Sequence, residues 1–134
     1  VLTLIFVRPT SDDVARVADD RWIAYTPAKL EELKGQNIFI NMTADWCLTC
    51  KVNEALVFND PEVLALLQSK NVKLIKGDWT KKDENITRFL DRYERVGVPF
   101  YILFSPRRPE GLILPEVLTK SSFIESIRGE FPDQ

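Results

Sequence analysis

From Trp22 onward the apolar positions alternate between a period of two and a period of three to four residues, so short strands and helices take turns along the chain. "WIAY" predicts a short strand, and "TPAKLEELKG" after it a helix. Thr26 can cap that helix, Pro27 suits its first position, and Gly35 suits its end. "IFINMTA" predicts a strand with Ile38, Ile40 and Met42 on one face. A second helix starts at or just before Cys47 and runs to about Phe58. "NDPEVLALLQSK" opens a third, with Asp60 as cap, Pro61 at the first position, and Val63, Leu66 and Leu67 on one face.

"VKLIKGDW" is the next strand, and Trp79 within it reads as a core residue. After the exposed "TKKDEN" comes "ITRFLDRYERVG", where Ile86, Phe89, Leu90 and Tyr93 follow helical spacing. "FYILF" is a continuous apolar run and predicts a strand buried on both faces. "SPRRPEG" predicts a turn and "LILPEVL" a strand, placed at an edge or bulged because Pro115 cannot donate to a ladder. "KSSFIESIRGEF" closes the chain as a helix with Phe123, Ile124 and Ile127 facing inward. The order β-α-β-α-α-β-α-β-β-α predicts an α/β domain, a central mixed β-sheet flanked by helices on both faces.

Residues 1–20 read differently. "VLTLIFV" is too short to span a bilayer, which takes about 20 apolar residues. It also lacks the charged start and small-residue cleavage site of a signal peptide. Two readings stand: the trailing edge of a transmembrane helix or a linker, and an ordinary edge strand. "RPTSDDVARVADD" is polar and reads as an arm leading into a domain over residues 21–134. The 134 residues suffice for one compact core. With 45% hydrophobic and 28% charged residues, the composition excludes a disordered tail. The 18 basic and 20 acidic side chains are interspersed, which argues against a nucleic-acid partner. There is no histidine, and that removes the usual general base, the commonest metal ligand and the histidine-dependent triads.

The chemistry therefore rests on "ADWCLTCK", which holds both cysteines, Cys47 and Cys50. Structural zinc needs four ligands, and two cysteines without histidine do not supply them. A copper-carrying loop would place a methionine close before the first cysteine, whereas Met42 lies on the preceding strand. A disulfide closing so short a loop removes little entropy from the unfolded chain, so a purely structural staple is weak. Reactivity fits better. At a strand-to-helix junction the Cys47 sulfur meets unpaired N–H groups and the positive end of the helix dipole, which favour the thiolate. Cys50, three residues on, returns to the same face within disulfide reach.

Together "NMTADWCLTCK" and "VGVPFYILF" resemble the thioredoxin superfamily: strand, Trp-Cys-x-x-Cys-Lys helix, and later a Val-Pro entering a strand. "TADWCLTCKVNE", "DWT" and "LPEVLT" bring the resemblance closer, to the C-terminal periplasmic domain of the DsbD/ScsB-type transmembrane thiol:disulfide interchange reductases. It spans Trp22 to Phe131 and implies a thioredoxin-like fold. It further implies a reductase domain at the periplasmic face of the bacterial inner membrane, monomeric when isolated. Electrons would come from a membrane-embedded donor domain of the same parent protein and pass to a periplasmic thioredoxin-like or disulfide-isomerase partner. No cofactor is implied, since the sulfurs carry the electrons.

Residue by residue, the resemblance makes Cys47 the nucleophile and Cys50 the resolving thiol. Pro99 becomes a cis-proline beside the disulfide, Val98 offers its backbone to a partner, and Trp46 shields the site. Asp45 and Lys51 read as solvated charges. The chain departs from thioredoxins at Asn41, where they carry a buried aspartate that helps move protons. Glu54, which matches an acid of the DsbD-type domains, is the candidate to take over that role, against a reading as a plain surface carboxylate. Two other functions remain open at this stage: a stand-alone thioredoxin-like reductase or oxidase, and a non-catalytic binding module on the same fold.

Overall fold

The computed structural model describes residues 21–132. The N-terminal arm expected over residues 1–20 lies outside the described residues. Five strands form one sheet in the order β1-β3-β2-β4-β5: β1 Ile23–Ala24, β2 Ile38–Thr43, β3 Lys73–Asp78, β4 Phe100–Ser105 and β5 Arg108–Ile113. The first three run parallel, while β4 and β5 are antiparallel to their neighbours. The helices are α1 Pro27–Leu33, α2 Leu48–Asn53, α3 Pro61–Ser69, α4 Glu84–Arg92 and α5 Lys120–Glu130. A π-helical segment, Glu54–Phe58, continues α2.

Strand β2 is central and wholly buried, and its alternation splits the core in two. Ile38, Ile40 and Met42 face α1 and α4, where they pack with Leu30, Ile86 and Phe89. Phe39 faces the other way, into a cluster with Phe58, Leu67, Tyr101 and Phe123. Helices thus cover both faces, as the order of elements predicts. Local chemistry sets where they begin. Thr26 Oγ1 accepts from Lys29 N at 3.0 Å, and Asp60 Oδ1 accepts from Glu62 N and Val63 N at 2.9 and 3.2 Å. Each cap satisfies N–H groups that the first helical turn leaves free.

Three boundaries differ from the sequence expectation. The strand expected in "WIAY" shrinks to Ile23–Ala24, with Tyr25 N still reaching Lys76 O at 2.8 Å. Helix α4 starts earlier, because Asp83 caps it through Ile86 N, and it ends at Arg92 with Glu94 at φ 58°. The largest correction is the last strand. Strand β5 occupies "RPEGLI": it takes in Arg108–Gly111 of the expected turn, keeps only Leu112 and Ile113 of the expected strand, and Pro115 lies beyond it. The turn needs only Pro106 and Arg107. Because β5 is the sheet edge, the missing N–H of Pro109 is tolerated there. Gly111, at φ +85°, sits near a register shift, and a Cβ there would lie 2.6 Å from Ile102 Cδ1. The exposed start of this edge carries no apolar alternation, so Arg108–Glu110 give no strand signal.

Candidate active site

Strand β2 ends at Thr43, and the chain turns through Ala44–Trp46 into α2. Cys47 is the N-cap of that helix, in extended backbone, and its Sγ accepts from Cys50 N at 3.2 Å. The sulfur therefore takes the place of a capping oxygen and receives one of the free N–H groups of the first turn. Cys47 and Cys50 are disulfide-bonded, with Cα atoms 5.3 Å apart. Cys47 is 7% exposed and Cys50 0%, so an approaching sulfur meets Cys47 first.

The Val98–Pro99 peptide bond is cis. Val98 packs against the cluster of Ala44, Cys47 and Cys50, and Pro99 is buried at the entry to β4. The fold thus brings Val98, the residue before Pro99, against Cys47 and Cys50 from a segment some fifty residues away. Trp46 is half exposed, its ring 5.9 Å from that of Trp79 and its Nε1 donating to Thr80 O at 3.1 Å. Thr80 also accepts from Asp45 N at 2.9 Å through Oγ1, and that hydroxyl donates to Asp78. This hydrogen bond is the main cause that holds the Asp78 carboxyl below the usual range. Trp79 itself is buried and donates to Thr87 Oγ1 at 2.9 Å, as a core residue.

Glu54 opens the π-helical segment, and its side chain is only 16% exposed. One carboxylate oxygen accepts from Thr43 Oγ1 at 3.1 Å, and the other lies 3.6 Å from Lys51 Nζ. Lys51 Nζ is also 3.6 Å from Asp45, and both side chains are exposed, so these flanking charges are solvated as expected while lying in ion-pair range. Asn41 is buried on β2 between Lys76 and Tyr101, and its Oδ1 finds no hydrogen-bond partner among the described residues.

Asn53 escaped the sequence reading. It is buried, donates to Tyr101 Oη at 2.9 Å and Glu116 O at 2.7 Å, and accepts from Leu118 N at 3.2 Å. One amide thereby fastens the dithiol helix to the central sheet and to the loop before α5. Burial pushes the Tyr101 phenol up to about 12, against the opposing bond from Asn53. The available signal was position: Asn53 lies three residues after Cys50, on the same inward face. Among the described residues no three His, Cys, Asp or Glu side chains converge as a metal site.

A dithiol at a helix start, packed against the valine that precedes a cis-proline, defines a domain built for disulfide exchange. A family model described as thioredoxin-like matches residues 21–106, and the chain belongs to that family. Among curated proteins it is similar to the thiol:disulfide interchange protein DsbD 2 of Pseudomonas aeruginosa, 34% identical over 90 residues, which are 63% of this chain and 15% of that one. It is also similar to DsbD of Klebsiella pneumoniae, 29% identical over 107 residues, or 78% of this chain and 18% of that one. The chain thus spans under a fifth of the length of these relatives. Among solved structures, the oxidised C-terminal domain of Neisseria meningitidis DsbD aligns with a TM-score of 0.60 at 21% identity, covering 90% of this chain and 96% of that one. A thioredoxin from Thermus thermophilus aligns with a TM-score of 0.61 at 19% identity, covering 81% and 85%. At these identities the structures attest the fold.

Proposed function

We propose that this chain is the C-terminal reductase domain of a DsbD-type transmembrane protein, facing the periplasm. Residues 21–134 form the domain, and residues 1–20 are an arm from a membrane-embedded donor. The reduced Cys47 thiolate attacks a partner disulfide, forming a Cys47–partner bond and expelling the partner's other sulfur, which takes up a proton. The Cys50 thiolate then attacks Cys47 Sγ and releases the second partner thiol. Two electrons leave the pair, Cys47–Cys50 closes, and the donor dithiol reopens it by the reverse exchange. Val98 and the cis-proline hold the incoming partner chain beside Cys47, Trp46 screens one side, and Glu54 handles the proton. The isolated domain works as a monomer, with a thioredoxin-like or isomerase protein as acceptor.

The observation that carries this reading is the Cys47 cap above a fully buried Cys50, joined to the DsbD relatives' shared stretch. No helix among the described residues is long and apolar enough to cross a membrane. Redox equilibration against glutathione tests the direction of flow. The expected potential is at or below about −200 mV, in the thioredoxin and glutaredoxin range. A value near about −120 mV, that of a DsbA-like oxidant, would reverse the direction.

A further inference from the structure

Leu48, Val52 and Leu56 are 78%, 46% and 65% exposed, the large apolar side chains that a helix turns outward among the described residues. They recur every four residues along the helix that carries the dithiol. In an α-helix four residues overshoot a turn of about 3.6, so such a row drifts around the axis. The step from Leu48 to Val52 is α-helical, but the step to Leu56 enters the π-helical segment, where Asn59 N bonds Glu54 O at 2.8 Å. Bonding from i to i+5 puts more than four residues in a turn, so the second step drifts less than the first. The row runs over about 12 Å at ~1.5 Å per residue.

The row begins between the two cysteines. A protein sulfur seated on Cys47 covers Leu48, and the surface continuing from there is Val52 and then Leu56. Lys51, on the flank of the row, is engaged by Asp45 and Glu54 at 3.6 Å each, so the strip offers an apolar face and not a cation for an anionic surface. We propose that Leu48, Val52 and Leu56 form a docking strip for a folded protein whose disulfide is bordered by an aliphatic ridge, and that the strip favours such protein disulfides over small-molecule ones. The proposal deepens the exchange reading above and rests on it.

The test uses the reduced chain in single turnover with two oxidants: insulin, whose disulfides lie among aliphatic side chains, and the small aromatic disulfide dithiobisnitrobenzoate. The readout is the ratio of the two second-order rate constants. In the double variant Val52→Gln/Leu56→Gln the ratio falls about tenfold, the least that burying one such side chain corresponds to. In Val52→Leu/Leu56→Met, which keeps the aliphatic surface, the ratio returns to that of wild type. An unchanged ratio in the Gln variant overturns the strip, as does an equal fall in both variants. A wild-type chain that reduces neither oxidant overturns the exchange reading itself. Sedimentation velocity and flotation with phosphatidylglycerol vesicles probe other occupants. Self-association or vesicle binding that the Gln variant loses would assign the strip to a second copy or to lipid, and overturn the proposal.

Discussion

The Thr43 hydroxyl donates to the Glu54 carboxylate at 3.1 Å, joining the end of the central strand to the helix that carries both cysteines. The acid is thereby turned inward, against β2, and Lys51 is its outer partner at 3.6 Å.

Glu54 stands four residues after Cys50, one helical turn on, so its carboxylate opposes the helix terminus over the Cys47 thiolate. The terminus contributes about 0.3–1 kcal/mol in favour. A carboxylate about 6 Å from a thiolate, at an effective dielectric of about 20, costs ~3 kcal/mol, a cost that a nearby ammonium reduces. At that separation the carboxylate outweighs the terminus, so Glu54→Gln is expected to lower the Cys47 pKa by about one unit. Ultraviolet titration of the thiolate in the reduced proteins checks this. An unchanged curve would leave Glu54 with only its structural bond to Thr43.

The two cysteines differ in access, 7% against 0% exposed. Cys50→Ser should therefore accumulate mixed disulfides through Cys47, while Cys47→Ser should accumulate almost none. Mass spectrometry after reaction with an oxidised protein distinguishes them. Equal trapping by both variants contradicts the assigned order of attack.

Asn53→Ala removes a buried amide with three partners, Tyr101, Glu116 and Leu118. A loss of about 2–4 kcal/mol is expected from the lost bonds and the polar groups left behind. Urea unfolding of Asn53→Ala, Tyr101→Phe and the double variant gives the coupling between the pair. A loss under about 1 kcal/mol in Asn53→Ala would mean the loop finds other partners.

Tyr101 supplies a pH dependence. Its phenol is raised to about 12 in the folded protein, by burial first, with the Glu54 and Glu116 charges adding. An unfolded chain releases that proton near pH 10, so below about 10 both states hold it and the contribution is flat. Between about 10 and about 12 the unfolded state binds fewer protons than the folded one, and stability falls as pH rises. Wild type should lose up to ~3 kcal/mol across this window that Tyr101→Phe does not lose. Parallel denaturant curves at both ends of the window measure the difference, and identical slopes would refute it.

Much of the molecule was legible before any coordinates. The Thr26-Pro27 and Asp60-Pro61 starts, the two-residue period through Ile38, Ile40 and Met42, and the apolar run at Phe100 all specify their elements from residues a few positions apart. The Cys-x-x-Cys pair at the strand-to-helix junction was legible for the same reason. The edge place of the last strand was legible, but the start of β5 at Arg108 was not, because an exposed edge needs no alternation and takes its pairing from β4.

The sequence by itself determined the order of strands and helices, the caps, and a dithiol placed at a helix start, since those follow from local spacing and backbone valence. Only the tertiary structure decided which way Glu54 turns, what Asn53 holds, that Lys51 joins Asp45 to Glu54, and that Leu48, Val52 and Leu56 stay uncovered. Each of these depends on what a distant segment places opposite the side chain. Helical spacing fixes the face of α2 on which a residue stands, but burial and hydrogen bonding are settled by β2, β4 and the loop before α5, which arrive there only when the sheet closes.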